Sequence, residues 1–141
     1  MTYLEKQDLI DYMQERFIDE SSQENETIID KLELKQIEIV KSYIGSRCDI
    51  EKLFDTDAPV RNEVIVSILT RLLLYWLIKR NAARKVPLDL KEDYDAAMKD
   101  LTDISTGKLR IVGLPPITDV TGTPVKSNSL YGNNKNGDFY I

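Results

Sequence analysis

Residues 62–80 read NEVIVSILTRLLLYWLIKR, and between Val64 and Ile78 the only residues that are not apolar are Ser67, Thr70 and Arg71. A helix apolar on nearly every side belongs inside an assembly of other elements, not on its surface. The run is shorter than the ~20 residues needed to cross a bilayer, and Arg71 interrupts it, so no membrane partner is expected. Ser67, Thr70 and Arg71, extended by Glu63, form a narrow polar strip along which another helix can pack. Arg71 is the costly residue. It needs a carboxylate, either from the N-terminal part of the chain or from a neighbour.

Working outward, Asp57 as N-cap with Pro59 in the first turn marks the entry to this helix. Upstream, residues 49–57 read as a connector anchored by Leu53 and Phe54. Residues 27–45 have the period of a second helix, capped by Asn25 or Thr27 and ended by Gly45. Its stripe is Ile28, Ile29, Leu32, Ile39, Val40, Tyr43 and Ile44. Leu34 and Ile37 fall off that stripe, which implies a second buried face. Leu4, Leu9, Tyr12, Met13 and Phe17 place a first helix over residues 4–17, followed by a polar loop over residues 19–25. Downstream, Val86-Pro87 breaks the chain, and Asp89 caps a last helix over residues 90–106. Its stripe is Leu90, Tyr94, Ala97, Met98, Leu101 and Ile104, with Gly107 at its end.

The expected fold class is therefore all-α. A small bundle of about four helices surrounds the central helix, residues 62–80, and forms a helical domain over residues 1–107. After Gly107 the composition turns to Pro, Gly, Asn and Ser. Residues 108–141 read as an extended C-terminal arm with β-prone pieces at residues 110–112 and 117–120. Such a segment cannot bury a core of its own. It is either a loose tail or an arm that adds a strand to a neighbour or fills a groove, and the β-branched residues and aromatic end favour the arm.

The 141 residues suit one domain with one core, and the formal net charge is −5. That balance disfavours a general nucleic-acid binder, which needs Lys and Arg in excess. The charge is also segregated. Residues 1–57 hold 15 acidic and 7 basic side chains, and residues 58–141 hold 9 acidic and 12 basic. Solvated helix faces account for this pattern, and so does a polar subunit whose acidic side meets the basic side of the next copy. The N-terminus lacks the basic and apolar regions of a signal peptide, so a soluble, cytosolic product is expected and the Asn25-Glu26-Thr27 sequon has no use.

No constellation for chemistry is found. With no histidine the commonest general base and metal ligand are missing, and the single cysteine, Cys48, allows no disulfide and reads as a small packing residue. Residues 105–108, STGK, lack the first glycine and the final Ser/Thr of a phosphate loop. Asp55 and Asp57 have calcium-loop spacing, but Pro59 occupies the third ligand position. No catalytic, cofactor-binding or metal residue is expected, and no enzyme. The candidate contact residues are the basic cluster Lys79, Arg80, Arg84 and Lys85, then Arg110, Ile111 and Val112, and the terminal Phe139, Tyr140 and Ile141. The cluster also complements a helix C-terminus, which alone would explain it.

The order of elements resembles the Mu gp36-like family of tailed-phage neck proteins, which are related in shape to helical head–tail connectors. The residues carrying the resemblance are Tyr3-Leu4 with Asp8-Leu9, Ser42-Tyr43-Ile44 with Ser46-Arg47, and the Pro-initiated apolar helix ending in Leu74-Tyr75. The last helix adds Tyr94, Ala97, Leu101, Ile104 and Gly107. The resemblance covers residues 2–109 and rests on apolar patterns and turn residues. Two departures stand out: Cys48 replaces an aromatic after the arginine, and the chain runs about thirty residues past the last helix.

The resemblance implies a structural virion protein in the neck between capsid portal and tail. Copies would form a homo-oligomeric ring, a dodecamer, below the portal protein. They would contact other neck or tail proteins and let genomic DNA pass without sequence-specific binding. The competing readings are a small helical adaptor that binds a protein partner through its C-terminal tail, and a DNA-binding module using the basic cluster.

Overall fold

The computed structural model describes residues 1–23, 25–81 and 85–117. Among these residues there are six helices and no strand, an all-α bundle as expected. The helices are α1 (Lys6–Ile10), α2 (Glu15–Ser22), α3 (Glu26–Ile44), α4 (Ile50–Leu53), α5 (Glu63–Arg80) and α6 (Leu88–Thr106). Helix α5 is the axis, and α1, α2, α3 and α6 all pack on it. Ile65, Ile68, Leu69, Leu72, Leu73 and Leu77 are wholly buried along its length.

The single first helix expected over residues 4–17 is instead two helices, with a corner at residues 11–14. Leu9 and Ile18 explain the corner, because both are fully buried. Nine residues are about two and a half helical turns, so in one straight helix these side chains would point to opposite sides. Breaking the helix brings both onto α5. The polar loop expected over residues 19–25 is correspondingly shorter, since α2 continues to Ser22 and ends on Gln23 in the left-handed conformation at φ 55°. Lys6 braces the corner through Glu15 at 2.9 Å and Asp19 at 3.4 Å.

Helix α3 starts where expected, with the Asn25 carboxamide oxygen accepting from the Thr27 amide. Of the expected stripe, Ile29, Val40 and Ile44 are buried and Ile28, Leu32 and Tyr43 pack against the core, while Glu33, Gln36 and Ile37 are buried in addition. Ile37 belongs to this stripe, whereas Ile39 is only partly covered. The apolar period did not extend the stripe to Glu33 and Gln36, two polar residues that hold buried positions. Leu34 does lie off the stripe and is 52% exposed. It lines a hollow of about 130 Å³ with Thr2, Ile37 and Phe54.

The cap of α5 is Asn62, not Asp57, and Pro59 lies outside the helix. The Asn62 side chain accepts from Val64 N at 3.0 Å and Ile65 N at 3.4 Å. Two features delay the start. The Asp55 carboxylate accepts from the Asp57 and Ala58 amides and closes a turn of its own, which holds its pKa below the ordinary value. The Tyr3 hydroxyl then donates to Val60 O at 3.0 Å and accepts from Asn62 N at 2.9 Å, keeping the chain extended up to the cap. Burial pushes the Tyr3 phenol pKa upward, so it stays protonated and able to donate.

Helix α6 begins at Leu88 with Pro87 at its N-cap, so Asp89 lies in the first turn and does not cap. Its buried face of Ala97, Leu101 and Ile104 agrees with the expected stripe. Gly107 ends it at φ 83°, a conformation that favours glycine. The Arg47 guanidinium donates to Ser105 O at 2.9 Å and 3.2 Å, placing a positive charge at the negative end of α6. An added Cβ at Gly107 would lie only 3.2 Å from that guanidinium.

Arg71 does find a carboxylate, but from α6: its guanidinium donates to Asp100 at 3.0 Å and to Ser67 O at 3.2 Å. Thr70 is fully buried and its hydroxyl has no hydrogen-bond partner. A buried hydroxyl without a partner costs about 1–3 kcal/mol. Thr70→Val is therefore expected to stabilise the fold by about 1 kcal/mol in urea unfolding. A loss of stability on this substitution would mean that the hydroxyl is in fact satisfied.

Candidate functional site

Among the described residues, Lys79, Arg80 and Lys85 of the basic cluster make different contacts. Lys79 lies over the ring of Trp76 at 4.7 Å and the ring of Tyr75 at 5.5 Å. Tyr75 in turn stacks on Tyr94 of α6 at 4.2 Å. Lys79 thus forms the lid of an aromatic cluster that joins α5 to α6, a use of a cation that needs no external partner. Arg80 points the other way and donates to Ser21 O of α2 at 3.4 Å. Lys85 is exposed on the far side of a groove described below. Arg84 lies outside the described residues, as do Phe139, Tyr140 and Ile141.

The segment following Gly107 lies back along the bundle. Leu109 N donates to Asp103 O at 3.0 Å, and Asp49 N donates to Pro115 O at 2.9 Å. Asn62 Nδ2 donates to Val112 O at 3.0 Å, so one side chain both caps α5 and holds this segment. Ile111 and Leu114 pack against the core. The chain turns at residues 112–113, with Gly113 at φ 87°. Of the three candidate residues here, Ile111 faces inward, Arg110 is exposed, and Val112 at the tip is 90% exposed. Ile117 ends the described part of this segment, so most of the second β-prone piece, residues 117–120, lies beyond it.

At the other end of α5 is a groove of about 810 Å³. Met13 and Phe17 come from the α1–α2 corner, Ile78 from the last turn of α5, and Leu90 from the first turn of α6. Asp89, Asp93 and Lys85 supply its charges. Tyr12, on its wall, is half exposed and shares a hydrogen bond of 2.8 Å with Ser67. The apolar residues are those of the expected helix stripes. The groove was not foreseen because it exists only through the corner at residues 11–14, which sequence periodicity had smoothed into one helix.

Cys48 is buried, and burial pushes its thiol pKa up to about 11, with the Asp49 charge adding to the effect. It sits in the core as a small apolar side chain. Among the described residues no group of three His, Cys, Asp or Glu could hold a metal ion, and no helix is long and apolar enough to cross a membrane.

The model of the family described as Bacteriophage Mu, Gp36 matches residues 3–123. The chain belongs to the bacteriophage Mu Gp36 family. Membership makes it a phage structural protein and a component of the virion. The match takes in all six helices and the braced segment through Ile117. No curated protein and no solved structure matches the chain.

In this Gp36-family chain the two ends of α5 carry unlike features. One end presents the braced turn with Val112 at its tip, and the other holds the groove. The sequence had pointed to Arg110, Ile111 and Val112 through their β-branched and basic character. It gave no signal for Glu33 or Asn62, and it marked Arg47 only through the family resemblance, not as a residue that holds the first end in shape.

Proposed function

We propose that this chain is the subunit of a head–tail connector ring that sits below the portal, extends the DNA channel and gives the tail a platform. The supporting observation is that the bundle carries two unlike surfaces at opposite ends of its axis. A protruding, basic turn lies near Asn62, and an apolar groove with an acidic edge lies near Ile78. Unlike surfaces that complement one another make head-to-tail contacts, which close into a ring where the rotation between copies permits and otherwise run on as a filament. The net charge of −5 suits a wall that DNA slides past without binding. In this reading the chain has no enzymatic role, its partners are further copies, the portal protein and other neck or tail proteins, and the ring is a dodecamer.

Mass photometry and negative-stain imaging of the purified chain, alone and with portal protein, test this. A cyclic oligomer that caps the portal is expected. A chain that stays monomeric at high concentration and ignores the portal would rule the reading out.

A further inference from the structure

We propose that the groove between the α1–α2 corner, the end of α5 and the start of α6 is the socket for the residue 109–114 turn of the adjacent copy. This rests on the ring reading above and names the contact that builds the ring.

The occupant must come from another copy. Within one chain the turn is tied at three points, to Asp103, Asn62 and Asp49. The floor of the groove, Ile78, stands sixteen residues beyond Asn62 on the same helix. At 1.5 Å per residue that is about 24 Å along the axis. A turn held beside Asn62 cannot fill its own groove.

The two surfaces also match in chemistry. Val112 projects an almost fully exposed β-branched side chain from a braced turn, and Leu109 beside it is partly exposed at 38%. The groove offers Met13, Phe17, Ile78 and Leu90 to receive them. Lys108 and Arg110 flank the tip, and no acid occurs between residues 107 and 117. Asp89 and Asp93 outnumber Lys85 at the groove. An apolar knob with a basic collar thus meets an apolar socket with an acidic edge. A turn that is already braced loses little freedom on docking, which favours this contact over a segment that must be ordered first.

The test uses full-length chains. Gln14→Cys places a thiol at the groove on an exposed residue whose side chain makes no capping bond, and Val112→Cys places one at the tip of the turn. The two variants, distinguishable by mass, are mixed, assembled and mildly oxidised. A disulfide joining position 14 of one copy to position 112 of another is expected, with neither variant linking efficiently alone. Cys48 is buried and does not compete. Rings that form without this link place another occupant in the groove, the segment 118–141 included, and overturn the proposal while leaving the ring reading intact. A mixture that never assembles removes the ring reading, and the proposal with it. Val112→Asp supplies the second arm. Position 112 is exposed, so the monomer should keep its helical signal, while the concentration for half-assembly should rise about tenfold. An unchanged assembly midpoint overturns the proposal.

Discussion

Glu33→Ala is expected to lower the unfolding free energy by about 3–5 kcal/mol, a large part of the ~5–15 kcal/mol that holds a domain together. Glu33 is buried in the middle of α3, yet its carboxylate has no Lys or Arg beside it among the ion pairs of the described residues. Three backbone amides hold it directly, and the N-terminal ammonium, paired with Asp30, adds attraction from nearby. Thr2 N donates at 2.7 Å, Tyr3 N at 2.9 Å and Leu4 N at 2.7 Å. Removing the carboxylate lets the Thr2 amide turn to water, because Thr2 is exposed. Tyr3 and Leu4 are buried, and their amides are left without partners at about 1–3 kcal/mol each. Glu33→Gln keeps one oxygen with two lone pairs and should lose about half as much. Chemical denaturation gives the ranking, and hydrogen exchange at the Tyr3 and Leu4 amides gives the site. A Glu33→Ala protein within about 0.5 kcal/mol of the parent would show that the carboxylate does not hold this N-terminal segment.

The consequence reaches further than the N-terminus. Tyr3 carries the hydroxyl that keeps residues 60–62 extended, and Asn62 then caps α5 and holds the Val112 carbonyl. Arg61 beside it pairs with Asp8 at 2.6 Å, tying α1 to the same corner. Glu33, Tyr3, Asn62 and Val112 form a connected path from the inside of α3 to the tip of the turn. Loosening its first member should therefore weaken assembly as well as folding, while leaving the groove at the other end of α5 intact.

That path marks what the sequence could and could not disclose. The apolar run of α5 was legible because its burial follows from composition alone, and the last helix was legible because Ala97, Leu101 and Ile104 keep a clean period up to Gly107. Arg71 was legible as a residue that requires a carboxylate. The partner was not, since Asp100 reads in sequence as one more acid on a solvated helix. Glu33 was hidden for a related reason: periodicity treats an acid as solvent-facing, and nothing local shows that three distant amides will surround it. The split of the first helix followed from two residues, Leu9 and Ile18, both needing the same core, which is a tertiary demand. Residues 110–112 read as a β-prone piece of an extended arm, yet they form a turn held on their own bundle by Asp103, Asn62 and Asp49; neither those tethers nor the groove, assembled from three separate segments, is local in sequence.

Leu72→Ala is expected to cost about 3–5 kcal/mol and to leave little folded protein at 37 °C. Leu72 has no exposed surface and sits midway along the helix on which α1, α2, α3 and α6 pack. Alanine is at least as good a helix former as leucine, so the loss cannot come from α5 as a helix. It comes from the lost transfer of the side chain and from a cavity that α5, packed by several helices at once, cannot close by shifting. Leu72→Met, nearly equal in volume, should cost less than about 1.5 kcal/mol. Leu34→Ala is the matched control: the same atoms are removed from a residue that is 52% exposed, with an expected change within about 0.5 kcal/mol. Thermal unfolding followed by circular dichroism measures all three. If Leu72→Ala and Leu34→Ala cost the same, α5 is not the buried axis of the fold. If they separate as expected, α5 is a scaffold that fixes the distance and direction between turn and groove. On the proposed ring reading, its apolar length would then set the spacing between successive contacts, with Ile78 in its last turn as the buried residue that meets the neighbour.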